Sequence, residues 1–177
     1  MTTTLKIALY SLAFLGLAGG VLWWIMDHRR GTAWAVSVIQ DRFPDVPQIS
    51  AADLQEWLND GQRGPPMLID ARSDEEHEVS HLPGALHLNV ETVTTEALQK
   101  LDPAKPYVVY CAAGYRACQL ARQMHSAGIK DVRNLEGGIF AWANDGHEVQ
   151  KGDQPVQQVH SYHRLFARLL KPERRQP

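Results

Sequence analysis

Cysteine is scarce in this chain of 177 residues. Cys111 and Cys118 are the only two, too few for a disulfide-stapled scaffold or a four-cysteine zinc site. No C-x-x-C, H-E-x-x-H, G-x-x-x-x-G-K-[ST] or G-x-G-x-x-G string occurs, so the common metal and nucleotide signatures are missing. Aromatic residues make up 8 % and suggest no cofactor box. Neither charge dominates: 18 Lys and Arg stand against 20 Asp and Glu. With 44 % hydrophobic residues the chain is not wholly disordered, and its length suits one ordinary domain with attachments.

The near-neutral total hides a split. Residues 1–42 carry four basic and two acidic side chains, residues 43–150 carry eight and sixteen, and residues 151–177 carry six and two. An acidic middle lacks the basic footprint that phosphate contacts need, so no nucleic-acid partner is expected. The basic ends need another explanation.

One long apolar run is present, IALYSLAFLGLAGGVLWWIM from Ile7 to Met26, with no charged residue. As a helix it spans about 30 Å, the thickness of a bilayer's hydrocarbon core. Trp23 and Trp24 sit at one end, where interfacial aromatics belong. A cleaved signal peptide is the alternative. The run exceeds a signal peptide's apolar region and leads into Asp27-His28-Arg29-Arg30, so an uncleaved single-pass anchor over residues 1–30 is expected. Membrane lipid is then a partner. Arg29, Arg30 and Arg42 beyond the run outnumber Lys6 before it, which favours a cytoplasmic face for the rest of the chain. Gly16 and Gly20 form a GxxxG pair that suits a homodimer, although small residues are common in membrane helices anyway.

Residues 31–45 read as a connector, interrupted by Pro44. Residues 46–150 alternate short apolar runs with amphipathic segments, the pattern of an α/β domain with an open parallel sheet. Strands are expected at Met67–Ile69, Ala85–Leu88, Tyr107–Tyr110 and Val132–Leu135. Helices are expected after Ser50, after Ser73, over 93–101, 116–127 and 139–145. Ser73 and Glu76 have the spacing of a capping box. Residues 151–177 form a basic tail. On a helical wheel Val159, Tyr162, Leu165, Phe166, Leu169 and Leu170 share one arc, predicting an amphipathic helix that packs on the domain or lies on the bilayer.

The chemistry concentrates where the strongest strand ends, in Cys111-Ala112-Ala113-Gly114-Tyr115-Arg116. A turn between a parallel strand and a helix points backbone N–H groups at its centre, and the helix N-terminus adds partial positive charge. A cysteine there is favoured as the nucleophilic thiolate. On the loop alone, a buried inert cysteine remains an equal alternative. Cys118, inside the following helix, is expected on its packed face, with a resolving thiol as the other option.

Four separate segments shift the balance toward a reactive cysteine. Leu68-Ile69-Asp70-Ala71-Arg72, Glu75-Glu76 followed by His81-Leu82-Pro83-Gly84-Ala85, the Cys111 to Arg116 loop, and Leu135-Glu136-Gly137-Gly138-Ile139-Phe140-Ala141-Trp142 come in that order. With them the chain resembles the rhodanese family of sulfurtransferases over residues 46–150. The resemblance implies a five-stranded parallel sheet and a Cys111 persulfide that passes sulfane sulfur from a small donor to a thiol or cyanide acceptor. It implies a binding loop of Ala112, Ala113, Gly114, Tyr115 and Arg116, with Arg116 helping to hold an anionic donor. No cofactor or metal is implied. Related phosphatases have one more residue between Cys and Arg, so the C-x4-R length here points to sulfur. Ala112 and Ala113 lack the charges that many active relatives carry there, which favours a persulfide donor over dianionic thiosulfate. Ser80 and His77 depart from the family's usual Gly and aromatic residue. Asp70, Arg72 and Glu136 are expected in ion pairs and capping, and His81 in a turn. The rival from another class is a non-catalytic module that docks a membrane partner or senses sulfur.

Overall fold

The computed structural model describes Gly16 and residues 28 to 176. Of the expected anchor, all but Gly16 and residues 28–30 lies outside the described residues, and so does Gly20. Among the described residues no helix is long and apolar enough to cross a membrane.

Helix α1, His28–Arg42, occupies most of the expected connector. Burial explains the difference: Ile39 of the helix and Phe43 directly after it are buried in the domain. The Phe43 N–H still bonds the Ile39 carbonyl, and the helix stops before Pro44, which has no N–H to continue it.

Five parallel strands follow: β1 Gln48–Ile49, β2 Met67–Asp70, β3 Leu86–His87, β4 Tyr107–Tyr110 and β5 Val132–Leu135. Their order across the sheet is β1-β5-β4-β2-β3. β4 is therefore central, and all four of its residues are buried. Successive side chains alternate between two layers. Val108 and Tyr110 join one cluster with Leu54, Trp57, Ile139 and Phe140. Val109 joins the other with Cys111, Ile39, Leu120 and Met124.

The helices start where local chemistry permits. Helix α2, Ala51–Asn59, is capped by Ser50, whose hydroxyl accepts the Asp53 N–H at 3.1 Å. Helix α3, Asp74–Val79, begins in the capping box of Ser73 and Glu76. Helix α4 is only Thr95–Leu98, shorter than the sequence suggests, because Leu98 is its single buried anchor. Helix α5, Tyr115–Ser126, buries Ala117, Cys118, Leu120, Ala121 and Met124 on one face. Helix α6 is Gly138–Asn144.

The tail departs from its helical periodicity. β6 Val149–Lys151 and β7 Gln154–Val156 form a hairpin, and two short 3₁₀ turns follow at Phe166–Leu169 and Pro172–Arg174. Tertiary bonds override the local pattern. Val159 donates to the Arg174 carbonyl at 2.7 Å and accepts from the Gln176 N–H at 3.2 Å, closing the segment into a strap. Asn144 clamps it twice, donating to the Leu169 carbonyl at 2.7 Å and accepting the Lys171 N–H at 2.9 Å. Val159 and Leu170 are fully buried, so the tail belongs to the domain core. Leu165, Tyr162 and Phe166, from the same predicted arc, are exposed.

Candidate active site

Tyr110 ends β4, and the chain turns at once into the loop from Cys111 to Gly114. Tyr110 is held first: its hydroxyl donates to Asp70 at 3.1 Å and accepts the Leu82 N–H at 3.0 Å. Asp70 also forms a buried ion pair with Arg72 at 2.6 Å and meets His77 Nδ1 at 2.9 Å. Burial pushes the Asp70 carboxyl up, but the bonds from Arg72 and His77 outweigh it and hold it well below the carboxylate range. Asp70 and Arg72 thus pair as expected, and they brace the strand that delivers Cys111.

The loop curls around sulfur. The Gly114 N–H donates to Cys111 Sγ at 3.1 Å. The carbonyls of Cys111 and Ala112 accept from Ile139 and Phe140 at 2.9 and 3.2 Å. Those bonds tie the carbonyls to α6 and keep them from pairing with the loop's own amides. Among the described residues the amides of Ala112, Ala113, Tyr115 and Arg116 have no protein acceptor, which makes the loop an anion cradle. Two glycines permit this closeness. Gly114 has φ +115, and a Cβ there would stand 3.0 Å from Asn134 Nδ2. Gly138 has φ +57, and a Cβ there would stand 2.2 Å from the Cys111 carbonyl oxygen. Glycine at 138, the first residue of α6, is thus required by the approach of the loop's backbone.

The loop residues named from sequence come together, with differing exposure. Cys111, Ala112 and Ala113 are buried, Tyr115 is exposed with its ring edge-on to Phe43, and Ile39 of α1 lies against Gly114. Arg116 does not stand open as a lone cation. Its two terminal nitrogens meet the two carboxylate oxygens of Glu76 at 2.6 and 2.8 Å. Burial opposes the Arg116 charge, yet the Glu76 bonds and the neighbouring Cys111 hold its pKa above the usual value. Sequence reasoning saw Glu76 only as a capping residue; its place in the double-glutamate motif was the signal for this second role. Arg116 has a second neighbour in Tyr162, whose ring centroid lies 4.5 Å from the guanidinium carbon. No sequence signal linked that residue to the loop.

Cys118 lies fully buried on the packed face of α5. Burial pushes its thiol up to about 12, and Gln48 Nε2 at 3.8 Å only partly opposes this. A thiol held up in this way resists forming the thiolate that nucleophilic attack needs. Glu136 accepts from Gln40 at 2.9 Å on the surface. His81 serves its turn, meeting the His77 carbonyl at 3.1 Å and bridging to Gln150. His77 stacks between His81 and His87, which fills the place of the usual aromatic residue. Ser80 is buried, and its hydroxyl has no partner among the described residues. A cleft of about 500 Å³ between α1 and α6 does not include Cys111 in its lining.

Comparison with known proteins agrees with this geometry. The family model described as "Rhodanese-like domain" matches residues 50–145. The chain is 33 % identical over 96 residues to the probable adenylyltransferase/sulfurtransferase MoeZ of Mycobacterium tuberculosis, covering 54 % of this chain and 24 % of that protein. It is 33 % identical over 76 residues to the thiosulfate sulfurtransferase GlpE of Coxiella burnetii, covering 43 % of this chain and 70 % of that one. The crystal structure of a rhodanese-like domain protein from Staphylococcus aureus superposes with a TM-score of 0.52 at 27 % identity, over 59 % of this chain and 97 % of that one. The chain thus spans about a quarter of the length of MoeZ.

Proposed function

The chain belongs to the rhodanese-like domain family, and on that footing we propose that it is a sulfurtransferase working through a persulfide on Cys111. The observation that carries this is Cys111 Sγ seated in a C-x4-R loop, accepting the Gly114 N–H at 3.1 Å while the loop carbonyls are tied back to α6. In the first half-reaction the Cys111 thiolate attacks the sulfane sulfur of a persulfide R–S–SH. A new S–S bond forms to Cys111, the donor's S–S bond breaks, and the leaving thiolate takes up the proton. The inward amides hold the negative charge of the Cys111 persulfide. In the second, an acceptor thiol R′–SH takes the outer sulfur and leaves as R′–S–SH, and the Cys111 thiolate returns. Glu76 and Arg116 hold the far end of the loop in register.

We further infer that residues 7–26 tether this domain to a membrane, cytoplasmic side preferred. The support is the uncharged 20-residue run and the start of α1 directly behind it, at His28. Sulfur transfer to cyanide by the full chain in detergent, read as thiocyanate, tests the enzyme reading. Activity that disappears in Cys111→Ser supports it; a folded chain with no transfer from any sulfane donor assigns the domain to docking instead.

A further inference from the structure

The family match ends at residue 145, yet the active loop has a neighbour from beyond it. The strap that follows β7 carries Tyr162 onto Arg116, with 4.5 Å from guanidinium carbon to ring centroid. Several features make this a held position. Tyr162 has φ +60, a left-handed backbone that a non-glycine residue adopts only under constraint. Its N–H donates to His160 Nδ1 at 3.1 Å, and Phe166 supports its ring edge-on at 5.5 Å. The strap is closed by the Val159–Arg174 bond and clamped by Asn144 on both sides of Leu170.

Arg116 is thereby bounded twice. Glu76 neutralises its charge through two bonds, and Tyr162 covers the flat face of the guanidinium. Ala112 and Ala113 add no charge. Little positive potential is left for a small dianion. What the mouth offers instead is an aromatic ring, half exposed, next to the cradle for sulfur.

We propose that Tyr162 is a substrate-selecting residue of this site: held over Arg116 by the strap, it favours persulfides carried on organic thiols over thiosulfate. The assignment rests on the sulfurtransferase function proposed above. The ring gives the organic body of a donor a surface to pack on, and it keeps thiosulfate from the guanidinium face. Both effects act on the donor half-reaction, so they appear in KM more than in the acceptor step.

The test compares kcat/KM for glutathione persulfide and for thiosulfate in the full chain, in detergent, with cyanide as acceptor. In Tyr162→Ala the ratio of the two should fall by about tenfold, the scale of one aromatic–cation contact. KM for the persulfide should rise and KM for thiosulfate should drop. Tyr162→Phe should keep the ratio, because the ring remains. Tyr162→Asn serves where the alanine variant fails to fold, since Asn tolerates a left-handed backbone. A ratio unchanged in either ring-less variant, at unchanged thermal stability, overturns the selecting role alone. An unaltered chain that turns over neither donor overturns the sulfurtransferase reading and this role with it.

Discussion

Arg116 and Glu76 meet through both ends of their charged groups, at 2.6 and 2.8 Å, with Glu76 nearly fully buried. The pair joins the first turn of α5 to the capping box of α3, so the loop's far end is fixed by a residue forty positions earlier. Removing one partner strands the other. Glu76→Ala should lower unfolding free energy by about 1–3 kcal/mol, since Arg116 is only part-buried and water can reach the guanidinium it leaves unpaired. Urea unfolding of the variant checks this. Sulfur transfer should fall with it, and Glu76→Gln should recover part of both.

Two glycines distinguish loop closure from ordinary turn chemistry. At Gly138 an added Cβ meets the Cys111 and Ala112 carbonyl oxygens at 2.2 and 2.7 Å, and backbone cannot step aside. Gly138→Ala should cost more than about 2 kcal/mol and abolish transfer. At Gly128, after α5, φ is +97 but nothing among the described residues lies within 4 Å of an added Cβ. Gly128→Ala should cost only about 1 kcal/mol and leave transfer intact. Paired denaturation and activity curves separate the two.

Cys111→Ser should abolish transfer without loss of fold, whereas Cys118→Ala should keep most of it. Burial holds the Cys118 thiol up to about 12, so it contributes no thiolate at neutral pH. Turnover measured on both variants decides, and the opposite pattern would move the nucleophile to Cys118.

Acid should unfold the domain through Asp70. Its folded pKa is depressed by Arg72 and His77 against the push of burial. The stability this confers is complete above the unfolded pKa of about 4 and is lost as pH falls toward the folded value. Urea midpoints should therefore drop steadily below about pH 4, and Asp70→Asn should flatten that slope while lowering stability at neutral pH.

The tail should behave as core. Leu170 is fully buried among Val159, Phe140 and their neighbours, so Leu170→Ala should cost about 2–5 kcal/mol. A melting temperature equal to the unaltered chain's would return the tail to a surface role.

The sequence makes four of the five parallel strands and the loop legible because their signals are local, while β1, only two residues long, has no pattern of its own and is fixed by pairing with β5. β4 is β-branched and aromatic throughout, Ser50 and Ser73 cap helices within three residues, and Gly128 stops α5. The four motif segments extend this to the fold and to Cys111. What escapes notice depends on distance in sequence. Ile39 and Phe43 make α1 part of the domain through contacts with distant residues, while the apolar periodicity of 156–171 yields to the Asn144 clamp and the Val159–Arg174 bond. Tyr162 sits on the arc the wheel predicts, but its partner Arg116 lies forty-six positions away.

The central claim is that Cys111 carries sulfur. The direct measurement is mass spectrometry of the full chain after exposure to a persulfide donor, with digestion under conditions that keep S–S bonds. One added sulfur atom is expected on the peptide holding Cys111, removed by cyanide and absent in Cys111→Ser. A folded chain that gains no sulfur at Cys111, or gains it at Cys118 alone, would contradict it.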